Sequence, residues 1–379
     1  MRVLSVFQTY SFFGSGNTAS EINVIAQQFQ ELGHQVDILS ASYDGVSGDL
    51  RSENGINVEC LGSILRFRFM TINPGLILFC KRNLRRYDVV HIYGIYDLFG
   101  PIVSWFCRRW KIPYVVEPMG MYRPIVRSLL IKRLYHLTLG GPVVRGAMRI
   151  ITTSDQERAE VLNGGVSIDR IVIRRNGLDM RQFECLPPRG AFRVELGISE
   201  EESLILFLGR LSRVKGLDLL IKAFARVDLP ARLVLVGPDD EDGTIKEIER
   251  LCREMDLGTR VLLPGPRFGQ DKLQVLADSD IFVLPSVHEN FGNAALEAAA
   301  SGIPVIVTDQ CGVASHIEDK SGLVVSRDED SLVSAINELI VNCGLRERFK
   351  ANAVHIRQDF SWKEPILFQQ QMYQELVAD

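Results

Sequence analysis

The chain has little with which to build a disulfide scaffold, a zinc centre or a membrane span. Its seven cysteines (Cys60, Cys80, Cys107, Cys185, Cys252, Cys311 and Cys343) are odd in number and never fall in C-x-x-C. That usage excludes a disulfide framework and leaves them as small core or surface residues. No apolar run approaches the roughly 18 residues of a spanning helix. No low-complexity tract interrupts the chain, and no run of basic residues suggests a nucleic-acid partner. No cluster of His and Asp suggests a metal site. The opening "MRVLSVF" reads as a short strand leading into polar sequence and not as a leader, so a cytoplasmic location is expected.

What is present is ordinary globular sequence with an unusual order. A length of 379 residues, 46% of them hydrophobic and 24% charged, implies two domains with a core each. Residues 1–190 carry a net charge of +7 and residues 191–379 one of −11. A basic first half suits an anionic partner, although an ordinary solvated surface would give the same count. Short β-branched runs alternate with helical periodicity, the signature of a parallel sheet covered on both faces. The first series of strands is expected at 2–7, 35–39, 56–61, 89–93, 114–116, 149–152 and 171–173. The second is expected at 204–209, 232–237, 260–265, 281–286, 304–308 and 322–326. Between them "CLPPRG" (185–190) reads as a linker, because its paired prolines stop a helix. The expected plan is therefore α/β: a domain over 1–185, a linker at 186–190 and a domain over 191–360. Ligands of two such doubly wound domains bind at the carboxyl ends of the strands, so sites are sought just after strands.

The first such place holds Gly14, Gly16 and Ala19, spaced as G-x-G-x-x-A before a helical pattern. A dinucleotide fingerprint fits poorly: residues 8–13 separate the strand from Gly14, and Asp37 lies inside the second strand instead of at its end. A helix-capping loop and a phosphate-facing loop of another nucleotide enzyme remain. After "LILFLG" come Arg210 and Lys215, a planar fork and a mobile point charge able to neutralise a diphosphate, unless they are simply solvated loop cations. After "IFVLPS" come Glu289, Asn290, Phe291 and Gly292, then a helix opening near Asn293, whose free N–H groups form an anion site. Glu297, set among apolar residues, offers a carboxylate to vicinal hydroxyls such as those of a ribose.

"GRLSRVKG", "HENFG", the E-x7-E pair Glu289 and Glu297, and "LEAAASGIPVIVT" followed by "CGV" resemble the second domain of the retaining family-4 nucleotide-sugar glycosyltransferases. "YDVVHIYG", "TSDQE", "RNGLD" and the closing "FSWKEP" extend that resemblance over nearly the whole chain. It implies the GT-B fold, two Rossmann-like domains facing across a cleft, with the last helix (361–379) returning to the first domain. It also implies a hexose donor carrying UDP or GDP, transfer with retention, and no cofactor or metal. Arg210 and Lys215 would hold the diphosphate, and the loop Gly14, Ser15, Gly16 and Asn17 would lie across from it. The backbone of Phe291–Asn293, with Asn290 and Gly292, would meet phosphate or sugar, while Glu289 contacts the hexose, Glu297 the ribose and the loop around Arg267 the base.

On the acceptor side, "VVEPMGMY" has Met119 where many members carry His or Arg. A thioether cannot shuttle a proton, which leaves the Met119 backbone, Glu117 and His91 as candidates, His91 with the alternative of a satisfied core histidine. Two other functions stay open: a nucleotide-sugar epimerase of related fold and a catalytically weak sugar-nucleotide-binding protein. The expected acceptor is a polyprenyl-diphosphate-linked sugar in bacterial surface-polysaccharide assembly, reached by peripheral membrane docking through residues 66–86. There "PGLILFCKRNLRRY" would pack Leu76, Ile77, Cys80, Leu84 and Tyr87 on the sheet and show Lys81, Arg82, Arg85 and Arg86 with Leu78 and Phe79 to lipid, and "RFRF" would add a second contact. The alternative is a domain helix with a solvated basic face.

Overall fold

A computed structural model of the chain describes residues 1–8, 17–42, 48–51, 55–67, 70–123 and 129–378. The chain divides into two units, Met1–Arg175 with Trp362–Asp379, and Asn176–Ser361. In the first unit the strands are β1 (Arg2–Val6), β2 (Gln35–Ser42), β3 (Gly48–Arg51), β4 (Asn57–Gly62), β5 (Leu65–Phe67), β6 (Met70–Ile72), β7 (Val89–Tyr93), β8 (Tyr114–Glu117), β9 (Arg149–Thr152) and β10 (Ile171–Ile173). The sheet order is β10-β9-β8-β7-β1-β2-β4-β3, parallel except for β3. The antiparallel β3 and the separate β5–β6 hairpin were not expected from the sequence, since neither carries a continuous apolar run.

The second unit holds β11 (Ser203–Leu208), β12 (Ala231–Val236), β13 (Val261–Gly265), β14 (Ile281–Leu284), β15 (Val305–Thr308) and β16 (Gly322–Val325). They form a wholly parallel sheet in the order β13-β12-β11-β14-β15-β16. Central strands such as β14, buried at every position, read as continuous apolar runs because helices cover both faces. In each sheet the order reverses beside its first strand, between β1 and β7 and between β11 and β14. Such reversal points leave a crevice beyond the carboxyl ends of the strands.

The boundary differs from expectation. The division falls at Arg175, and residues 186–190 sit inside the second unit. The cause is Asp278, whose buried carboxylate accepts N–H bonds from Gly190, Phe192 and Arg193 and so fixes the proline segment to that domain. The final helix Lys363–Ala378 belongs to the first unit, where Ile366, Met372 and Leu376 join the core under the helix Asn17–Glu31 and the Phe29 and Tyr373 rings lie 5.5 Å apart. The segment after residue 74 is also corrected. Its helix Gly75–Asn83 buries Leu76, Phe79 and Cys80 and leaves Ile77 and Leu78 half exposed, so Ile77 and Phe79 exchange their expected faces.

At the centre of the first unit a fully buried arginine gathers three elements. The Arg174 guanidinium donates to Glu117 (2.8 Å) at the end of β8, to Glu21 (3.1 Å) on the first long helix and to Gln369 (2.7 Å) on the returning helix, with Trp362 5.4 Å away. Burial pushes the Glu21 carboxyl up to about 8, helped by the neighbouring Glu117 charge. Burial would raise Glu117 as well, but Arg174 and His91 together hold it below the ordinary range. The two carboxyls beside Arg174 are thus pushed in opposite directions.

Removing one partner of a buried ion pair strands the other charge, at a cost of about 3–5 kcal/mol. Arg174→Met is therefore expected to lower the unfolding free energy of the first unit by that amount, seen as a lower urea midpoint. Tryptophan fluorescence reads this directly, because Trp105, Trp110 and Trp362 all lie in that unit. An unchanged midpoint would show that the network is not what holds the three elements.

Candidate active site

In the second unit three loops meet at the strand reversal. After β11 the chain makes a tight turn, Arg213–Lys215, ended by Gly216 at φ 66°. A Cβ on Gly216 would lie 2.2 Å from the Pro285 carbonyl oxygen, so only glycine lets this turn press against the loop after β14. The Val287 N–H closes the contact on the Val214 carbonyl at 2.8 Å. The loop after β14 in turn lies along the segment after β15: Glu289 N–H donates to Gln310 (3.0 Å), Gly312 N–H to Glu289 (2.9 Å) and Val313 N–H to Phe291 (2.7 Å). Thr308 adds its hydroxyl to the Ser286 carbonyl at 2.8 Å. "HENFG" and "CGV" are thereby two edges of one backbone ladder.

This framework brings Lys215 to Glu289 in a direct ion pair, with both side chains more than four-fifths buried. Ser286 donates to the same Glu289 oxygen at 3.4 Å. Arg210, by contrast, is mostly exposed and bonds Asp240 on the loop after β12 at 2.5 Å. The Phe291 side chain is buried against Phe360, so the loop presents its backbone. Gly292, at φ 110°, opens the helix Asn293–Ala300. Asn293 receives 3.2 Å support from Asn176 of "RNGLD". One turn along that helix, Glu297 bonds Lys272 at 2.9 Å, and Asn290 lies half-buried in the preceding loop. The Arg267 side chain turns to Glu195 and the Phe192 ring, which leaves the backbone of its loop as what can meet a ligand.

The first unit corrects part of the acceptor expectation. His91 and Glu117 are wholly buried. His91 Nδ1 is 2.7 Å from the Tyr373 hydroxyl, its ring stacks on Tyr93 at 3.8 Å, and burial lowers its pKa. It is a core histidine whose Nε2 lies 3.4 Å from the Glu117 carboxylate, and Glu117 belongs to Arg174; neither is open to a substrate. Met119 sits in a turn with φ 56°, rare for a non-glycine residue, and packs its side chain on the core. Glu157 of "TSDQE" holds that turn: one oxygen accepts the Gly120 N–H at 2.6 Å, the other the Thr153 N–H at 2.9 Å. Gly14, Ser15 and Gly16 lie outside the described residues, and Asn17 begins the helix that follows them. Sequence reasoning missed Arg174, Glu157, Asp240 and Lys272; only Glu157 had a signal, the S-x-x-E spacing from Ser154 that caps its helix.

Residues 188–355 match the family described as glycosyl transferases group 1, and residues 18–177 match the glycosyl transferase 4-like domain. A D-inositol 3-phosphate glycosyltransferase of Xylanimonas cellulosilytica is 30% identical over 291 residues, 73% of this chain and 69% of its own length. The chain belongs to the group 1, family-4-like glycosyltransferases. Solved structures agree on its GT-B fold. A sucrose-phosphate synthase from Thermosynechococcus elongatus superposes with a TM-score of 0.81 at 20% identity, covering 100% of this chain and 99% of that one. The HepE protein of Anabaena, solved with UDP and glucose, gives 0.79 at 18% identity over 100% of both chains. Among the described residues of this glycosyltransferase no helix is long and apolar enough to cross a membrane.

The tight contact at Gly216 yields a prediction. Gly216→Ala must displace the Pro285 carbonyl and hold alanine at φ 66°, a strain on the order of 1–3 kcal/mol. Lower melting temperature together with weakened nucleotide binding is expected. Loss of neither, by scanning calorimetry and titration, would mean that the turn does not set the Lys215–Glu289 geometry.

Proposed function

We propose that this glycosyltransferase moves a hexose, with retention, from a UDP or GDP sugar to a polyprenyl-diphosphate-linked sugar in bacterial surface-polysaccharide assembly. The observation that carries the donor reading is the Lys215–Glu289 pair at the strand reversal, beside Arg210 and the start of the helix Asn293–Ala300. Breaking the anomeric bond leaves a diphosphate whose charge grows in the transition state. Preorganised cations and N–H groups stabilise such charge most where water is scarce, and Lys215 is the better shielded from water of the two cations. Glu289 orients Lys215 and faces the hexose, and Glu297 receives the ribose hydroxyls. The acceptor gives its proton to the departing phosphate. On this reading no divalent metal or other cofactor is required. The UDP and glucose held by the HepE protein support the donor class. The name of the Xylanimonas relative makes D-inositol 3-phosphate the acceptor to test beside lipid-linked ones.

Incubation with UDP, GDP and ADP sugars, with and without acceptor, separates the readings. Acceptor-dependent nucleotide release supports transfer, isomerisation without acceptor would mean an epimerase, and binding alone a non-catalytic protein. Lys215→Ala or Arg210→Ala is expected to lower turnover roughly 10²- to 10³-fold, about 3–4 kcal/mol, by analogy with loss of one oxyanion donor. The fold should survive, and wild-type turnover at saturating donor would remove the diphosphate assignment.

The two glutamates divide differently. Glu297→Ala is expected to weaken binding of the free nucleoside diphosphate. Glu289→Ala should leave that affinity intact or raise it, by freeing Lys215, while transfer falls. Calorimetry decides, and equal affinity losses in both variants would contradict the assignments.

A further inference from the structure

The helix Leu129–Tyr135 and the wider π-turn His136–Gly140 that continues it carry an apolar stripe which stands exposed among the described residues. Leu130, Ile131, Leu134 and Leu137 are 80%, 61%, 62% and 77% exposed. At about 100° per residue these positions fall on one side of the segment. Its other side is already fixed to the domain. The buried Tyr135 hydroxyl donates to the Asp97 carbonyl at 2.5 Å, His136 bonds the Tyr122 carbonyl, and Lys132 lies 5.3 Å from the Tyr96 ring centre. The segment is therefore held with its leucines outward, in contrast to the helix Gly75–Asn83, where only Ile77 and Leu78 are turned out.

The surrounding charge is mostly of one sign. Residues 98–154 contain nine Lys and Arg and a single carboxylate, Glu117, which is fully buried. Arg133 on the segment is exposed, as are Arg145 on the next helix and Arg123, brought alongside by the Tyr122 ring 5.1 Å from His136. Glu160 lies near Arg123 and is half-buried. A stripe of large aliphatic groups flanked mostly by cations suits the interface of an anionic bilayer, where the apolar groups enter the acyl boundary and the cations meet head groups. A second protein surface would need its own excess of acid to fit here.

We propose that this glycosyltransferase docks on anionic membrane surfaces through Leu130, Ile131, Leu134 and Leu137. The inference rests on the membrane-bound acceptor reading above and moves the contact from residues 66–86 to residues 130–137.

The test uses the full chain and vesicles of equal parts phosphatidylglycerol and phosphatidylcholine at low salt. The combined Leu130→Ser, Ile131→Ser, Leu134→Ser and Leu137→Ser protein should cosediment at least about tenfold less than wild type, with its affinity for UDP or GDP unchanged in calorimetry. Reversal of Lys81, Arg82, Arg85 and Arg86 to Glu should weaken binding less. Wild type that ignores the vesicles, a serine variant that binds like wild type, or a wild-type dimer that the serine changes dissociate without any vesicle binding would each overturn the proposal. Nucleotide binding separates the two readings: vesicle binding without nucleotide binding fails only the donor assignment, and the reverse fails only this one.

Discussion

The buried guanidinium of Arg174 is the interaction on which the first unit depends. Glu21, Glu117 and Gln369 come from the first long helix, from β8 and from the returning helix, and the one guanidinium ties these three elements together. A charge in that position tolerates little slippage, because any shift leaves a desolvated ion without its partner. The same constraint reaches the loops beyond the strands. Glu117 is the last residue of β8, and the turn with Met119 and Gly120 follows it at once. Glu21 lies in the helix that the glycine loop enters. Fixing the end of β8 from beneath sets where the turn with Met119 and Gly120 begins.

In the second unit the cations assigned to the donor are already matched with carboxylates. Lys215 has Glu289 and Arg210 has Asp240, while Glu297, assigned to the ribose, holds Lys272. The pairs differ in weight. Arg210 is 65% exposed, so its attraction to Asp240 is screened and worth little, and a phosphate can replace the acid at small cost. Lys215 and Glu289 are largely shielded, so exchanging that partner has a larger electrostatic consequence, and Glu289 cannot be changed without changing the charge that Lys215 presents. This half of the chain carries a net charge of −11. On the proposed reading, local cations paired in advance reconcile an acidic domain with an anionic ligand.

Much of this was legible in the sequence because it was written in local terms. The parallel strands announced themselves as unbroken apolar runs, and the motifs around Lys215 and Glu289 fell where the sheet order reverses. What escaped depends on contacts between distant residues. Arg174 and Gln369 are separated by 195 positions, and nothing in "VIRRNG" distinguishes a buried arginine from a solvated one. His91, in the middle of β7, and Glu117, at the end of β8, failed as acceptor candidates for the same reason: polar residues on strands look open until the partners that enclose them are known. The residues 185–190 misled in another way, since the prolines do stop a helix but Asp278 holds the segment in the second unit. The stripe of Leu130, Ile131, Leu134 and Leu137 was hidden by the cations among it; only burial shows that Lys132 turns inward and Arg133 outward.

The placement of Met119 bears on the chemistry. With His91 and Glu117 enclosed and the Met119 side chain packed on the core, none of these three offers an acid or base at a solvent-facing edge. The turn offers backbone instead, held at an uncommon φ of 56° and anchored through Glu157. Strained backbone fixed in this way can position an acceptor hydroxyl, but it cannot remove a proton. If transfer proceeds as proposed, the base has to arrive with the donor. The oxygen of the departing diphosphate is the group whose basicity rises as the bond breaks, and Lys215 and Arg210 would have to stabilise that charge without neutralising it so fully that the proton is no longer taken. A mobile lysine tempered by Glu289 meets that requirement better than an unpaired cation would.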